Sequence, residues 1–121
     1  MSGDRYPSMD SDTRAAMRLR RESAGPGQYR IVIDGELDLH TAVELRAEVS
    51  ALLEGRPPPT HVELDLAGVT FMDSLGLGTL VVGRRFCAER GVRYRVHNPS
   101  PFVSRLLQVS GLRDSLSGSD N

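Results

Sequence analysis

The chain contains 121 residues, 39% of them hydrophobic and 26% charged, and carries a formal net charge of −1. This size and composition predict one soluble globular domain, and the near-neutral charge gives no overall field that would favour nucleic acid or an anionic membrane. The single cysteine, Cys87, excludes an internal disulfide and is interpreted as a small buried hydrophobe. Since neither a signal peptide nor a long apolar span is evident, we expect a cytoplasmic protein.

Composition divides the chain into a central domain and two polar ends. Residues 1–14 have almost no apolar content and are predicted to be a disordered tail. The domain is predicted over residues 15–116. Residues 117–121 are expected to fray, because the apolar content ends at Leu116.

Two strands joined by a turn are predicted at the start of the domain. Met17 and Leu19 alternate with polar residues within 15–22, which indicates a strand with one solvent-facing side. The turn-forming residues of 23–27 predict a hairpin, and the β-branched run at 29–33 predicts a second, more buried strand.

A helix and a third strand follow. Apolar residues recur at helical spacing over 42–53, with Asp38 or Thr41 as the expected cap, and Gly55 ends the helix. The alternation of apolar and polar residues over 61–66 predicts the third strand.

The second predicted helix, residues 74–89, is apolar on two sides when its residues are placed about 100° apart. One stripe consists of Leu77, Leu80, Val81 and Ala88, with Arg84 among them. The other consists of Leu75, Val82 and Phe86, with Thr79. We expect one stripe to face the sheet and the other to be covered by a neighbouring element or left as a docking surface.

A fourth strand at 92–97 and a third helix at 101–109, with Phe102, Leu106 and Val109 on one side, complete the predicted elements. Helices that return between strands of one sheet imply parallel pairing, and the first hairpin adds an antiparallel edge. The predicted fold is therefore α/β: a small single-domain mixed β-sheet of four to five strands flanked by three to four helices. Its ligand surface is expected where strands lead into helix starts.

Residues 71–78 (FMDSLGLG) are the most distinctive segment, since an apolar strand runs into an acid, a hydroxyl and two glycines. Asp73 and Ser74 both suit a helix start, whose free N–H groups and positive dipole end also suit a phosphate carried by Ser74. Gly76 and Gly78 are expected to let another protein approach the backbone closely. For the octapeptide alone, a capped helix start with no further role is the simplest alternative.

Known catalytic and nucleotide-binding motifs do not fit this segment. Arg84 stands where a P-loop needs Lys, Val81 where a dinucleotide fingerprint needs Gly, and Met72 where a hydrolase elbow needs Gly. A serine nucleophile is therefore not expected.

Metal binding is not predicted. The three histidines, His40, His61 and His97, are scattered without partner cysteines and are expected at solvated or strand-edge positions. The alternative is a weak Mg²⁺ site at the end of the sheet, made from two of the carboxylates Asp38, Asp65 and Asp73.

Three segments together resemble the STAS-domain anti-sigma factor antagonists. They are GELDLHTA at 35–42, VTFMDSLGLGTLV at 69–81 and NPSPFVSRLLQVSGL at 98–112, so the resemblance spans most of the chain from about Arg18 to Leu112. It implies a small mixed sheet flanked by helices, with no catalysis of its own and no cofactor.

The resemblance also implies a phosphorylation switch. In the family, the serine directly after the motif's aspartate is phosphorylated, and that position is Ser74 here. The unphosphorylated form binds an anti-sigma factor, a serine kinase of the histidine-kinase-like ATPase class, and so frees a sigma factor. The kinase then phosphorylates the antagonist and releases it, and a PP2C-type phosphatase resets it. Asp38 in the GELD loop matches a position expected at the partner interface, and His40 and Asp73 are expected there with it.

Two features depart from the family pattern. Leu75 stands where the residue after the phosphoacceptor is often Ser or Thr, which places an apolar side chain beside Ser74 and can alter which kinase docks. The chain also stops soon after the SGL at 110–112, where relatives commonly continue into a strand and a helix. Uncovered apolar surface and a weak homodimer are therefore alternatives to a monomer.

The partner surface is expected to include Leu75, Val82 and Phe86 as an apolar patch, together with Gly76 and Gly78. Two other function classes stay open. One is a scaffold subunit of a signalling assembly with the same fold, and the other is a nucleotide-sensing module that holds a base or phosphate at the strand ends.

Overall fold

The computed structural model describes residues 17–117, so the predicted tail at 1–14 and residues 118–121 lie outside the described part of the chain. The strands are β1 (Met17–Gly25), β2 (Gln28–Leu37), β3 (His61–Met72) and β4 (Arg93–His97). The helices are α1 (Ala42–Leu53), α2 (Ser74–Glu89), α3 (Pro101–Ser110) and α4 (Arg113–Ser117). Within residues 17–117, no helix is long and apolar enough to cross a membrane.

The four strands form one mixed sheet in the order β1-β2-β3-β4. β1 pairs antiparallel with β2 across the hairpin, whereas β2 with β3 and β3 with β4 are parallel. The carboxyl ends of β2, β3 and β4 therefore lie at one edge of the sheet, and α1, α2 and α3 all begin after that edge. The predicted mixed α/β fold is confirmed.

One face of the sheet is buried and the other faces solvent. The side chains of β3 alternate between buried apolar residues such as Leu64 and more exposed polar residues such as Glu63. On the polar face, Glu63 pairs with Arg30 of β2 at 2.8 Å and with Arg95 of β4 at 3.0 Å. Exposed ion pairs of this kind contribute only about 0–1 kcal/mol each, so the packing of the buried face dominates stability.

The buried face of the sheet packs against the helices in one core. Fully buried side chains from every layer belong to it, among them Ile31, Leu64, Leu80 and Leu116. Each such side chain contributes about 1.5–3 kcal/mol through its burial. Cys87 is also fully buried there, as predicted, and burial raises the pKa of its thiol to about 11.

The side of α2 that packs against the sheet does not coincide with either predicted stripe. Its buried residues are Gly76, Thr79, Leu80, Gly83 and Cys87. Small residues allow close packing: a Cβ at Gly83 would lie 3.0 Å from the hydroxyl of Tyr94, which itself donates a 2.8 Å hydrogen bond to the carbonyl of Leu80. The expectation that one stripe faces the sheet is wrong, because a count of large apolar residues ignores these small ones.

The buried side of α3 also differs from the predicted apolar side. Val103 and Leu107 are buried, whereas Phe102 and Val109 are exposed and Leu106 is half-buried. The predicted side is therefore mostly a surface of the domain.

A short helix, α4, follows α3 in a segment where no element is expected from the sequence. Gly111 ends α3 in the left-handed conformation, with φ of 76°, and redirects the chain. Leu116 is fully buried, and the carbonyl of Ser115 accepts a 2.8 Å hydrogen bond from Nε of Arg84 on α2. The chain after SGL therefore covers part of the core up to Ser117.

Leu116→Ala is expected to lower the free energy of unfolding by about 2–5 kcal/mol, because it opens a cavity in the core. The control is Val109→Ala, which truncates a side chain that is 77% exposed and is expected to change stability by less than about 0.5 kcal/mol. Urea denaturation followed by circular dichroism measures both. Equal, small effects would show that α4 is not part of the folded core.

Candidate functional site

The candidate site lies at the edge where β2 and β3 lead into α1 and α2. β2 and β3 end side by side, with Leu37 opposite Met72. Residues 38–41 connect β2 to α1, and Asp73 alone connects β3 to α2. The topology therefore brings the predicted GELD loop and the predicted Asp-Ser turn together, although they are far apart in the sequence.

Asp73 connects these two segments directly. It is the N-cap of α2, and its Oδ1 accepts hydrogen bonds from the N–H groups of Leu75 at 3.0 Å and Gly76 at 2.9 Å. Its Oδ2 accepts a 3.1 Å hydrogen bond from the N–H of Leu39 in the 38–41 loop. One carboxylate thus caps the helix and holds the loop against it.

Asp38 organises the loop from within. Its Oδ1 accepts hydrogen bonds from the N–H groups of His40 at 3.0 Å and Thr41 at 3.1 Å. Burial by itself would raise the pKa of Asp38, but the hydrogen bonds from Thr41 and His40 outweigh this effect and lower it. Thr41 stands at the N-cap position of α1 without a side-chain cap bond, because its hydroxyl donates instead to the carbonyl of Glu36 at 2.7 Å.

Ser74 is the first residue of α2 and is exposed. No hydrogen bond joins its hydroxyl to any other residue in the described range 17–117. The N–H groups of Leu75 and Gly76 are already bonded to Asp73, so the expectation that a phosphate on Ser74 finds these donors free is wrong. An added anion would instead lie next to a carboxylate.

The two glycines of the turn have different surroundings. Gly76 is buried, and a Cβ there would overlap the carbonyl oxygen of Leu37. Its missing side chain lets the end of β2 lie against α2, so the expectation that a partner approaches the backbone at Gly76 is wrong. Gly78 is exposed, and a Cβ there would meet no atom within 4 Å. Close approach from outside is therefore open at Gly78.

The side chains of the predicted apolar patch are unequally exposed. Leu75 is 52% exposed beside Ser74, while Val82 and Phe86 are half-buried and Phe86 packs against the core. His40 is exposed in the neighbouring loop. The apolar surface on this side of α2 is thus concentrated at the helix start, and the role of each residue in docking stays a prediction.

No cluster of three or more His, Cys, Asp or Glu residues suited to a metal occurs between residues 17 and 117. Asp38 and Asp73 each use a carboxylate oxygen to bind two backbone N–H groups, and Asp65 accepts a 3.0 Å hydrogen bond from the N–H of Ala67. These bonds use oxygens that the alternative Mg²⁺ site would need.

A surface cleft of about 640 Å³ lies at the opposite end of the sheet, where β2, β3 and β4 begin. Arg30, His61 and Arg93 are among its lining residues. The cleft and the turn at Ser74 do not coincide. The residues around Ser74 do not line this cleft, so the cleft gives no support for a small ligand at the candidate site.

Comparison with known proteins identifies relatives over most of the chain. The family described as Mlab, STAS domain matches residues 20–117. The anti-sigma F factor antagonist of Paenibacillus polymyxa is 34% identical over 86 residues, which covers 71% of this chain and 73% of that protein.

Solved structures of the anti-sigma factor antagonist SpoIIAA, a Bacillus cell fate determinant, share the fold. Its unphosphorylated form is 30% identical with a TM-score of 0.67, covering 78% of this chain and 82% of that one. Its phosphorylated form is 28% identical with a TM-score of 0.64, and the match covers 78% of this chain and 85% of that one.

Gly76→Ala and Gly78→Ala form a matched pair with opposite expected effects. Gly76→Ala is expected to lower the free energy of unfolding by about 1–3 kcal/mol or more, because the added methyl group collides with the backbone of β2. Gly78→Ala enters open space in a helix and is expected to stabilise by up to about 1 kcal/mol. Chemical denaturation measures both, and two variants of equal stability would contradict the contact between Gly76 and Leu37.

Asp38→Ala is expected to lower the free energy of unfolding near neutral pH. The difference in this free energy between the variant and wild type is expected to become smaller in acid. Since folding lowers the pKa of Asp38, its stabilisation is fully present above the unfolded value of about 3.9 and is lost as the pH falls through the lower folded value. Urea unfolding of both proteins at about pH 7 and about pH 3 measures the difference. A difference that does not change with pH would contradict the proposed role of the carboxylate.

Proposed function

Because this chain belongs to the STAS-domain family, we propose that it is an anti-sigma factor antagonist that acts by partner switching. Its unphosphorylated form binds an anti-sigma factor and so releases a sigma factor, and phosphorylation of Ser74 reverses the binding. The observation that carries this proposal is the exposed hydroxyl of Ser74, at the point where Asp73 joins α2 to the 38–41 loop.

Similarity to SpoIIAA supports a switch that needs no refolding. SpoIIAA has been solved in its unphosphorylated and phosphorylated forms, and this chain shares the fold of both. The site of this chain fits the same behaviour, because Ser74 lies outside the core and its hydroxyl takes no part in the hydrogen bonds that Asp73 makes. Modification of this hydroxyl removes no contact that holds the described domain together.

Charge supplies the physical basis of the switch. A phosphate adds about −1.5 to −2 charges at neutral pH. On Ser74 it would stand beside the carboxylate of Asp73 and near the loop that contains Asp38. Weakening a complex a thousandfold takes about 4 kcal/mol, and unfavourable charge placement in a desolvated interface costs several kcal/mol.

We further infer that the anti-sigma factor is itself the kinase for Ser74 and that a PP2C-type phosphatase reverses the reaction. With Leu75 following it, Ser74 is the only hydroxyl at the start of α2, and Gly78 leaves room for a partner one turn further along. In this cycle the protein is a cytoplasmic regulator and the chemistry belongs to its partners. Asp38, His40, Asp73 and Leu75 are the expected contact residues around Ser74.

Ser74→Asp is expected to weaken binding to the anti-sigma factor by about a thousandfold, whereas Ser74→Ala is expected to bind normally and to accept no phosphate. Calorimetry against a panel of purified histidine-kinase-like anti-sigma factors from the source organism measures binding. Incubation with ATP and mass spectrometry of the peptide containing Ser74 then measures phosphorylation.

Ser23→Asp is the matched control, since Ser23 is exposed on β1 at the opposite end of the sheet. It adds the same charge and is expected to leave binding unchanged. If Ser74→Asp binds as tightly as wild type, the switch is not at Ser74. If wild type binds no member of the panel, the proposed function fails.

A further inference from the structure

We propose that the surface that docks the anti-sigma factor extends beyond the Asp-Ser turn to the start of α3, where Phe71 and Phe102 form a second anchor. This inference rests on the proposed function, because it enlarges the contact surface for the same partner. The anchor residues lie outside the set that the sequence predicts for the partner surface.

Exposed apolar side chains are concentrated at one edge of the domain. Seven large ones are exposed among residues 17–117, and five of these lie where β2, β3 and β4 end and the helices begin. The five, called the apolar edge below, are Leu39, Val43, Phe71, Leu75 and Phe102. Val43, Leu75 and Phe102 are each the second residue of their helix. The other two lie further along α2 and α3.

Phe71 and Phe102 are the two aromatic members of the apolar edge. Their ring centroids are 5.8 Å apart, a distance typical of aromatic pairs in contact, and their ring planes are tilted by 39°. Phe71 is 43% exposed and Phe102 is 44% exposed. The pair therefore presents a large part of two adjacent rings to solvent.

Hydrogen bonds from Ser100 hold the start of α3 against β3. Its hydroxyl donates a 2.6 Å hydrogen bond to the carbonyl of Val69 and accepts one of 3.3 Å from the N–H of Val103. Its own N–H donates to the carbonyl of Leu66 at 3.1 Å. Phe102 is thus attached to a fixed backbone, and little conformational freedom is lost when its ring is covered.

A stable protein–protein interface needs more surface area than the Asp-Ser turn provides. A specific complex buries about 800 Å² on each partner, far more than the few residues around Ser74 can supply. Phe71 is three residues before Ser74 in the same segment, so the aromatic pair is continuous with the proposed contact. Aromatic side chains are also typical of the residues that dominate binding energy.

Charge favours the anti-sigma factor over a second copy of this chain. A symmetric contact through the apolar edge would bring Asp38 and Asp73 of one copy toward the same residues of the other, and such like-charge contacts oppose binding. A different protein can place apolar groups on the edge without opposing acids. Covering the edge also removes water around Ser74, so that a phosphate there becomes more costly to accommodate.

Phe102→Ser is expected to weaken binding to the anti-sigma factor by about tenfold or more. Val109→Ser is the matched control, because Val109 is on the same helix and more exposed, at 77%, but lies away from the edge. It is expected to change binding by less than about twofold. Calorimetry measures binding, and circular dichroism with thermal unfolding checks each fold. If Phe102→Ser is less stable, Phe102→Leu replaces it, with about threefold weakening expected.

The outcomes separate this inference from the proposed function. If wild type binds and Ser74→Asp releases the partner, but Phe102→Ser binds like wild type, the second anchor is wrong and the proposed function stands. If Phe102→Ser only converts a dimer to a monomer in light scattering, the pair is a self-contact and the inference is also wrong. If wild type binds no anti-sigma factor, both fail.

Discussion

The carboxylate of Asp73 is the interaction on which the geometry of the site depends. One of its oxygens binds two N–H groups at the start of α2, and the other binds the N–H of Leu39. Parallel pairing brings the ends of β2 and β3 together, but this carboxylate joins the loop to the helix. Gly76 complements it, because its missing side chain lets the backbone of Leu37 lie against the helix start. Ser74 therefore lies exposed at a junction where hydrogen bonds join two segments.

The same carboxylate also determines the electrostatic surroundings that a phosphate on Ser74 would meet. A free helix start attracts anions through its N–H groups and its dipole. Here Asp73 already uses two of those groups, so a phosphate would add its charge to an acid rather than replace water on open donors. Asp38 lies in the attached loop with a lowered pKa and is ionised at neutral pH. The proposed switch therefore rests on the accumulation of negative charge at the junction that the partner is proposed to cover.

The sequence predicts the fold well because apolar and polar residues alternate along a strand with one buried face, as in β3 and in the first hairpin. It also locates Asp73 and Ser74 at a helix start. It does not predict the packed side of α2, because glycine and threonine carry no hydrophobic signal. The role of Gly76 depends on where the carbonyl of Leu37 lies, which is a tertiary fact. α4 is not predicted because a single buried side chain, Leu116, cannot show a helical period in so short a segment.

The positions of the exposed apolar residues connect the fold to the switch. Helix starts are usually polar, yet α1, α2 and α3 each have a large apolar side chain at their second position. Because the three parallel strands end at one edge, these side chains lie at the same edge of the sheet as Asp38 and Asp73. In water, a charge on Ser74 is screened within about 8–10 Å. If a partner covered the apolar edge, this charge would be screened much less, because charges interact more strongly where water is excluded. In the proposed complex, the apolar edge would therefore provide binding surface and also increase the effect of a phosphate on Ser74.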